Sequence, residues 1–300
     1  MRKNYGNVLP SITLSDLHGK LIVVEGTDGA GRTTQINLLK PWLEELGHAV
    51  LDTGISRSCL AGEGIRRAKE GNNLGRITQS LFYATDFVDR LENEIVPALR
   101  AGFIVLTDRY IYSLMARAIV RGMDGTWIRS IFSVALVPDA VFYLRLGLED
   151  LIPRVACSRG FDYWESGADM FPGQDLFDSF CSYQSLLLAE FDRLGAEYKF
   201  DTVDASVHPE AVFAQLKDKV LQVLDSDSRR AYVSELYDRP APPARLVEPI
   251  PSTPLNPVDK EVDLLFRTMA SYYSVKSNGH APLHSNGNGN GNGHGEIHRG

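Results

Sequence analysis

Short apolar runs alternate with stretches of helical periodicity over the first 228 residues of the chain. The apolar runs are too short for helices, so each predicts a buried strand. The predicted strands cover residues 21–25, 49–51, 103–106, 140–144 and 197–200. Apolar residues spaced three and four apart predict helices over residues 32–46, 75–100, 176–194 and 208–224.

This alternation predicts the α/β class. Strands joined by helices form right-handed crossovers, which make the sheet mostly parallel and cover both of its faces. We therefore expect residues 1–228 to form one domain with a five-stranded sheet between two helical layers.

The chain changes character after residue 228. Seven of its 15 prolines lie between residues 240 and 257, which predicts a Pro-rich linker over 229–257. Apolar residues at helical spacing predict a short amphipathic helix over 258–274, which either packs on the main domain or binds a protein partner. Asn-Gly repeats predict a disordered tail over 275–300.

Composition and charge exclude several classes of protein. The chain is 44% hydrophobic and 23% charged, as is typical of globular proteins, and its net charge of −7 argues against general attraction to nucleic acids. Three cysteines without a CxxC pair argue against a disulfide framework or a zinc ribbon. We expect no signal peptide, because the N-terminus lacks an apolar h-region, and no membrane span, because no apolar run approaches about 20 residues. The cysteines, read as reduced thiols, favour a cytoplasmic protein.

The segment 25–34, Glu-Gly-Thr-Asp-Gly-Ala-Gly-Arg-Thr-Thr, follows the first predicted strand and opens the first predicted helix. Its glycines have the spacing of the phosphate-binding loop G-x-x-x-x-G-K-[ST]. Glycines let backbone N–H groups point at phosphate oxygens, and the helix N-terminus adds positive charge. The residues expected to bind the phosphates of a nucleotide are Gly26, Thr27, Asp28, Gly29, Ala30, Gly31, Arg32, Thr33 and Thr34.

Two positions of this loop carry specific chemistry. The Thr33 hydroxyl is expected to bind Mg²⁺ that bridges two phosphates. Arg32 stands where the motif has lysine, and a guanidinium keeps the charge but is longer and planar. We therefore expect phosphate binding to persist and the rate of transfer to depend on Arg32.

The third predicted strand ends in Thr-Asp-Arg-Tyr, residues 107–110. Ligands of parallel sheets bind at the carboxyl ends of the strands. Asp108 is therefore placed to hold Mg²⁺, directly or through water, and Arg109 to bind a phosphate through two parallel hydrogen bonds.

Together these segments resemble the thymidylate kinases, a family of P-loop nucleoside monophosphate kinases. The matching segments, in an order typical of the family, are 21–35, 62–66, 97–99, 107–110, 137–139 and 203–206, and the resemblance covers about residues 15–227. It implies transfer of a phosphoryl group from ATP to dTMP with Mg²⁺, giving dTDP for dTTP synthesis. It also implies a homodimer.

The resemblance implies roles for individual residues. Asp28 matches the acid that faces the sugar of the acceptor nucleotide, Asp108 would organise Mg²⁺, and Arg109 would bind the acceptor phosphate. Residues 154–165 match the family's mobile lid, whose Arg154 and Arg159 are candidates to close over the transferred group. The expected catalytic set is Arg32, Asp108, Arg109 and Arg159.

The chain departs from the family on the acceptor side. Phe87 stands where the family has the arginine that reaches the thymine, and Arg117 lies in the stretch that carries the family's tyrosine. Each missing polar group would cost about 1–3 kcal/mol of recognition. The replacement acceptor-binding candidates are Phe82, Tyr83 and Phe87, whose rings could stack on a base, and Arg117, beside Asp28 and Arg109. The departures leave open a different acceptor, or a catalytically weak nucleotide-binding regulatory protein.

Overall fold

The computed structural model describes residues 2–6, 12–71 and 74–225. Five strands form one parallel sheet in the order β2-β3-β1-β4-β5. The strands are β1 (Lys20–Glu25), β2 (Val50–Gly54), β3 (Ile104–Asp108), β4 (Ala140–Arg145) and β5 (Asp201–Asp204). The predicted α/β class and parallel sheet are confirmed.

Helices connect the strands and cover both faces of the sheet. They are α1 (Arg32–Glu45), α2 (Gly62–Glu70), α3 (Arg76–Arg90), α4 (Val96–Arg100), α5 (Ile111–Val120), α6 (Gly125–Ile131), α7 (Leu148–Ser158), α8 (Leu176–Tyr198) and α9 (Pro209–Asp225). Short 3-10 turns cover Leu14–Asp16 and Phe132–Val134, and a π-helical turn over Leu91–Ile95 joins α3 to α4. Within the part of the chain that the structure describes, no helix is long and apolar enough to cross a membrane.

The core lies in two layers, one on each face of the sheet. Successive side chains of a strand point to opposite faces. Leu21 and Val23 of β1 pack with the layer that contains α3, α5 and α8, while Ile22 and Val24 pack with the layer that contains α1, α7 and α9. All four side chains are fully buried. Burial on both faces explains why β1 is a continuous apolar run rather than an alternating one.

The fifth predicted strand is displaced. The prediction of a strand over 197–200 is wrong, because α8 continues to Tyr198 and the strand is Asp201–Asp204. Lys199 ends the helix in the left-handed conformation, with φ of 57°. Tyr198 and Phe200 contact the Tyr112 ring, with centroids 5.2 and 4.7 Å away, so their apolar character serves the core and not the sheet.

Other predicted elements agree less closely. The predicted helix over 75–100 is divided by the π-helical turn, and α2, α5, α6 and α7 have no predicted counterpart. The linker over 229–257, the helix over 258–274 and the tail over 275–300 lie outside the described residues and stay predictions.

Candidate active site

The carboxyl ends of three neighbouring strands meet at one edge of the sheet. Asp108, the last residue of β3, pairs with Val24 of β1 and with Gly54 of β2. The glycine-rich loop leaves β1 at this edge, between Glu25 and the start of α1 at Arg32. The topology therefore brings the two sequence motifs side by side, as parallel sheets commonly do at ligand sites.

The loop adopts a backbone that only glycine allows at its turning points. Gly26, Gly29 and Gly31 have φ of +148°, +91° and +90°. A Cβ at Gly29 would also lie 2.9 Å from side-chain carbons of both Leu151 and Val155 in α7. The loop is thus packed tightly against α7, with its last glycine directly before the N-terminus of α1, where backbone N–H groups are available to phosphate oxygens.

Arg32 binds the loop and β3 at the same time. Its side chain is almost completely buried. Its Nη1 donates to the carbonyl oxygens of Gly26, at 2.5 Å, and of Thr27. Its Nε donates to Asp108 Oδ1 at 2.7 Å, and its Nη2 lies 3.3 Å from Asp28 Oδ1. A lysine has one nitrogen and cannot make this set of contacts, so Arg32 is an integral part of the loop.

Asp28 is surrounded by four guanidinium groups. Arg109 contacts Asp28 Oδ1, Arg117 donates to Oδ2 at 2.7 Å, and Arg32 and Arg159 lie 3.3 and 3.1 Å from Oδ1. Burial alone would raise the pKa of this carboxyl, but the arginines outweigh it and hold the pKa well below its usual range. Asp108 also pairs with Arg32, and Glu165 with Arg117, so these four guanidinium groups meet three carboxylates. The surplus positive charge suits the phosphates of a nucleotide.

Two buried polar atoms in this cluster have no hydrogen-bond partner among the described residues. They are Arg109 Nε and Thr27 Oγ1. A buried donor that lacks a partner is costly, and in a functional site it points to a ligand atom that satisfies it. Their position beside Asp28 supports a phosphate-binding site.

Glu25 positions Arg109 through the backbone. The Glu25 carboxylate is fully buried and accepts hydrogen bonds from the N–H groups of Tyr110, at 2.8 Å, and Ser113, at 3.2 Å, and from the Ser113 hydroxyl. Arg109 has φ of 67°, an uncommon value for a residue with a side chain. Glu25 thus holds the strained turn between β3 and α5. Burial raises the pKa of Glu25, although these hydrogen bonds oppose the shift.

Thr33 and Asp108 bring two side-chain oxygen atoms close together beside the loop. Thr33 Oγ1 lies 3.2 Å from Asp108 Oδ2. Burial alone would raise the pKa of Asp108, but Arg32 and Arg109 hold it below its usual value, so the carboxylate is ionised. Across residues 2–6, 12–71 and 74–225, no group of three or more His, Cys, Asp and Glu side chains could hold a metal ion. The pair fits Mg²⁺, which is usually bound by one or two protein oxygens together with substrate phosphates.

The predicted lid is docked on the domain through Glu165. This carboxylate binds Arg117 through two hydrogen bonds of 2.8 Å. The backbone carbonyl of Glu165 accepts a hydrogen bond from Gln184 Nε2 at 2.8 Å, which ties the segment to α8. Arg117 therefore joins Asp28 of the phosphate loop to the lid, and burial, which would lower its pKa, is outweighed by the two carboxylates, which raise it well above its usual value.

A cavity extends from Arg117 between α3 and α5. Its lining includes Arg76, Gln79, Ser80 and Tyr83 of α3, Leu114, Arg117 and Ala118 of α5, Arg121 just after α5, and Trp164 of the lid segment. Trp164 Nε1 donates to the backbone carbonyl of Lys69 at 2.9 Å and so closes the lid segment over one side of the cavity. A cavity of mixed apolar and polar lining next to a phosphate site is suited to a nucleoside.

The structure brings together most of the predicted site residues but separates the two phenylalanines from them. Arg32, Asp28, Asp108, Arg109, Arg117 and Arg159 form one cluster. Phe87 is instead fully buried in the core, with its ring centroid 5.2 Å from that of Tyr110, so no face of it is free for a base. Phe82 lies in a separate groove beside Leu60, Leu81 and Thr85. Arg154 donates to the Ser206 carbonyl at 3.3 Å, apart from the arginines around Asp28.

Several residues of the site have no counterpart among the predicted ones. Glu25 and Glu165 hold Arg109 and Arg117 in place, and Arg76 and Ser80 line the cavity beside Tyr83, which was itself a predicted base-stacking candidate. A helical period of three and four along α3 connects Arg76, Ser80 and Tyr83, and this signal was available from the sequence. Asp86, the residue before Phe87, supports the segment after β2, because its carboxylate accepts hydrogen bonds from the N–H groups of Ser56 and Ser58, both at 3.0 Å.

Comparison with known proteins gives consistent matches. A family model described as thymidylate kinase matches residues 24–214. The chain is 37% identical over 192 residues to a "Probable thymidylate kinase 2" from Saccharolobus solfataricus, and the aligned region covers 63% of this chain and 90% of that protein. It is 34% identical to a "Probable thymidylate kinase" from Pyrococcus horikoshii, over 46% of this chain and 71% of that protein. It is also 34% identical to a "Thymidylate kinase" from Caldicellulosiruptor saccharolyticus, over 46% of this chain and 70% of that protein.

Proposed function

The chain belongs to the thymidylate kinase family, and we propose that it transfers the γ-phosphoryl group of ATP to dTMP, giving dTDP. The family predicted from the motifs is confirmed. The observation that carries the proposal is the arginine cluster around Asp28, because it connects the phosphate loop, the Asp-Arg turn after β3 and the lid in one place.

The donor side of the site is the glycine-rich loop. Its backbone N–H groups and the N-terminus of α1 would bind the β- and γ-phosphates of ATP. Arg32 is held by Asp108 and by two loop carbonyls, so it adds positive charge at a fixed position and loses little side-chain freedom when ATP binds. Thr33 and Asp108 would hold Mg²⁺, which neutralises phosphate charge when bound.

The acceptor side is the group of arginines that face Asp28. Arg109 and Arg117 would bind the phosphate of the acceptor, whose oxygen is the nucleophile and is already anionic at neutral pH. The incoming phosphate would compete with Asp28 for these guanidinium groups. The Asp28 carboxylate would then be available to the sugar of the acceptor, at the inner end of the cavity. No catalytic base is required for this reaction.

The lid would exclude water from the reacting phosphates. Arg159 follows α7, is half exposed and reaches Asp28 at 3.1 Å, so it approaches the cluster from the solvent side. Glu165 holds Arg117 from the same segment. Closure over two bound nucleotides would favour transfer to the acceptor over hydrolysis of ATP.

The test is a coupled assay of ADP release with ATP, Mg²⁺ and a panel of nucleoside monophosphates, with a control that lacks acceptor. We expect ADP release to require acceptor and to be fastest with dTMP, with dTDP identified by chromatography. Faster turnover of another nucleoside monophosphate would show that this nucleotide, and not dTMP, is the preferred acceptor. ADP release that is independent of any acceptor, or ATP binding by calorimetry without turnover, would contradict the proposal.

Three further predictions from the resemblance and composition stay predictions. They are the homodimer, the cytoplasmic location and a protein partner for the residues after 228. Size-exclusion chromatography with light scattering would test the first of these directly.

A further inference from the structure

The family's base-reading arginine has no equivalent at position 87, yet the cavity contains other donors in a suitable place. Arg76 and Gln79 lie one turn apart on α3, on the face that lines the cavity. Ser80 and Tyr83 continue this face toward the middle of the helix. The lining therefore offers a row of polar groups that ends in a cation.

The geometry of α3 and α5 places the Arg76 end of this row at the end of the cavity that is farthest from the phosphates. Phe87 of α3 contacts Tyr110 at the start of α5, with ring centroids 5.2 Å apart. At the other end of α3, Arg76 Nη1 lies 3.6 Å from the position that a Cβ at Gly122 would occupy, just beyond the end of α5. The two helices thus run in opposite directions along the cavity, and Arg76 lies beyond Arg117, which marks the phosphate end.

The cations of the cavity differ in whether protein carboxylates already neutralise them. Arg117 binds Asp28 and Glu165. Arg121 binds Asp169 at 3.1 Å and also donates to the Tyr183 hydroxyl. Arg76 forms no ion pair with any residue that the structure describes, and the Gln79 amide makes no side-chain hydrogen bond there. These two side chains therefore have donors available for a ligand.

We propose that Arg76 and Gln79 bind the base of the acceptor nucleotide, and that Arg76 favours the 4-carbonyl of thymine or uracil over the 4-amine of cytosine. This inference rests on the proposed function. The Gln79 amide can donate to O4 and accept from N3–H of thymine, and after a flip it can accept from the 4-amine and donate to N3 of cytosine. Gln79 therefore binds either base, and the choice between them rests on Arg76. Arg76 adds a cationic donor beside O4, and the same cation disfavours an amino group, which is itself a donor.

The test compares the kinetics of Arg76→Met and Gln79→Leu with those of the unaltered protein, using dTMP and dCMP as acceptors. Arg193→Met is the matched control, because Arg193 lies on the surface of α8 and pairs with Glu190 and Glu197. We expect each cavity variant to raise KM for dTMP about tenfold or more, with kcat within about twofold. The preference for dTMP over dCMP should fall by a similar factor in Arg76→Met and stay unchanged in Gln79→Leu, which should raise KM for dCMP as well. Arg193→Met should change neither KM nor the preference.

An unchanged preference in Arg76→Met would overturn the inference. A parallel loss of activity on dTMP and dCMP in Arg76→Met, with a lower thermal midpoint, would also overturn it, because it would indicate a structural role. If the unaltered protein turns over no acceptor, the proposed function fails separately. The same comparison is then made by calorimetry with dTMP and dCMP, where equal affinities or no binding of either would contradict base selection.

Discussion

The phosphate loop and the acceptor cavity use their cations in opposite ways. In the loop, Arg32 is bound by two backbone carbonyls and two carboxylates, and its position is fixed before any nucleotide arrives. At the outer end of the cavity, Arg76 has no ion-pair partner among the described residues, and its side chain is exposed. The difference follows from the ligands that each region would meet.

Phosphate groups are the same in every nucleotide, so a preorganised set of charges serves all of them and contributes mainly to the rate. Bases differ in their hydrogen-bonding edges, so the cavity needs donors that only the correct base satisfies. We therefore expect substitutions around the loop to lower kcat, and substitutions at the outer end of the cavity to change KM and acceptor preference. The predictions below test this division from the largest expected effect to the smallest.

Replacement of Asp108 with alanine should have the largest effect. It removes an oxygen expected to hold Mg²⁺ and also the partner of Arg32 Nε and of Thr33. A metal ion and a fixed cation that stabilise charge in the transition state raise the reaction rate about a thousandfold. Steady-state kinetics should show this loss in kcat, whereas Asp192→Ala, which removes an exposed carboxylate paired with Arg145, should retain activity. Full activity of Asp108→Ala would contradict the assignment of this residue.

Replacement of Asp28 with asparagine should lower both the rate and the stability. The variant leaves four guanidinium groups without their shared carboxylate. Removal of one partner from a buried ion pair costs about 3 kcal/mol of unfolding free energy at pH 7, and we expect a loss of about a hundredfold in kcat/KM.

The pH dependence of this loss of stability has a definite sign. The folded-state pKa of Asp28 is held well below its usual range, so the carboxylate stabilises the fold fully above the unfolded pKa. That contribution is lost as pH falls toward the folded pKa. Urea unfolding should therefore show a difference between the protein and Asp28→Asn that is largest near pH 7 and shrinks as the pH falls below about 4, the usual pKa of an unfolded aspartate. A difference that grows toward acid would contradict an ionised Asp28.

The phosphate end of the site was predictable because its signals are local. The loop requires glycine at positions of positive φ, and a strand that ends in Asp-Arg must present both residues at the edge of a parallel sheet. Neither inference depends on how distant elements pack. The supporting residues were harder to predict. Glu25 acts through the N–H groups of Tyr110 and Ser113, almost ninety positions away in the chain, and no spacing rule connects them.

The acceptor side was predicted less well because a helix turns by about 100° per residue. Phe82 and Tyr83 are adjacent in sequence, but Tyr83 lines the cavity and Phe82 lies in another groove. Phe87 lies one turn beyond Tyr83, at the end of α3 where Tyr110 and Phe132 cover it. The sequence identifies aromatic residues on this helix, and only tertiary packing decides which of them meets a ligand. The short edge strand β5 escaped prediction for a related reason, since only Val203 in it is buried.

The substitution Arg32→Lys tests whether the loop arginine is a handicap or an integral part of the site. Lysine restores the usual motif but cannot bind Asp108, Asp28 and the loop carbonyls as a planar fork. We expect kcat to fall about tenfold, with KM for ATP changed less, because the charge is kept while its position is lost. Arg145→Lys, at an exposed ion pair with Asp192, is the matched control. A higher kcat in Arg32→Lys would show that the arginine limits the rate.

The smallest effect is expected from Glu25→Gln, which alters the support beneath the phosphate end without touching a nucleotide. The remaining amide oxygen can still accept the N–H groups of Tyr110 and Ser113, and the Ser113 hydroxyl can reorient toward it. Because burial raises the pKa of Glu25, loss of its charge also removes a desolvation cost, which offsets part of the lost hydrogen bonding. We expect the thermal midpoint to change by a few degrees at most and kcat to fall about threefold, since a slight relaxation of the Arg109 turn moves its guanidinium.

Glu25→Ala removes every acceptor at this position and should lower kcat much further. Equal kinetics for the two variants would show that Arg109 keeps its strained turn without Glu25, and the rigidity of the phosphate end would then have to come from the cluster around Asp28 alone.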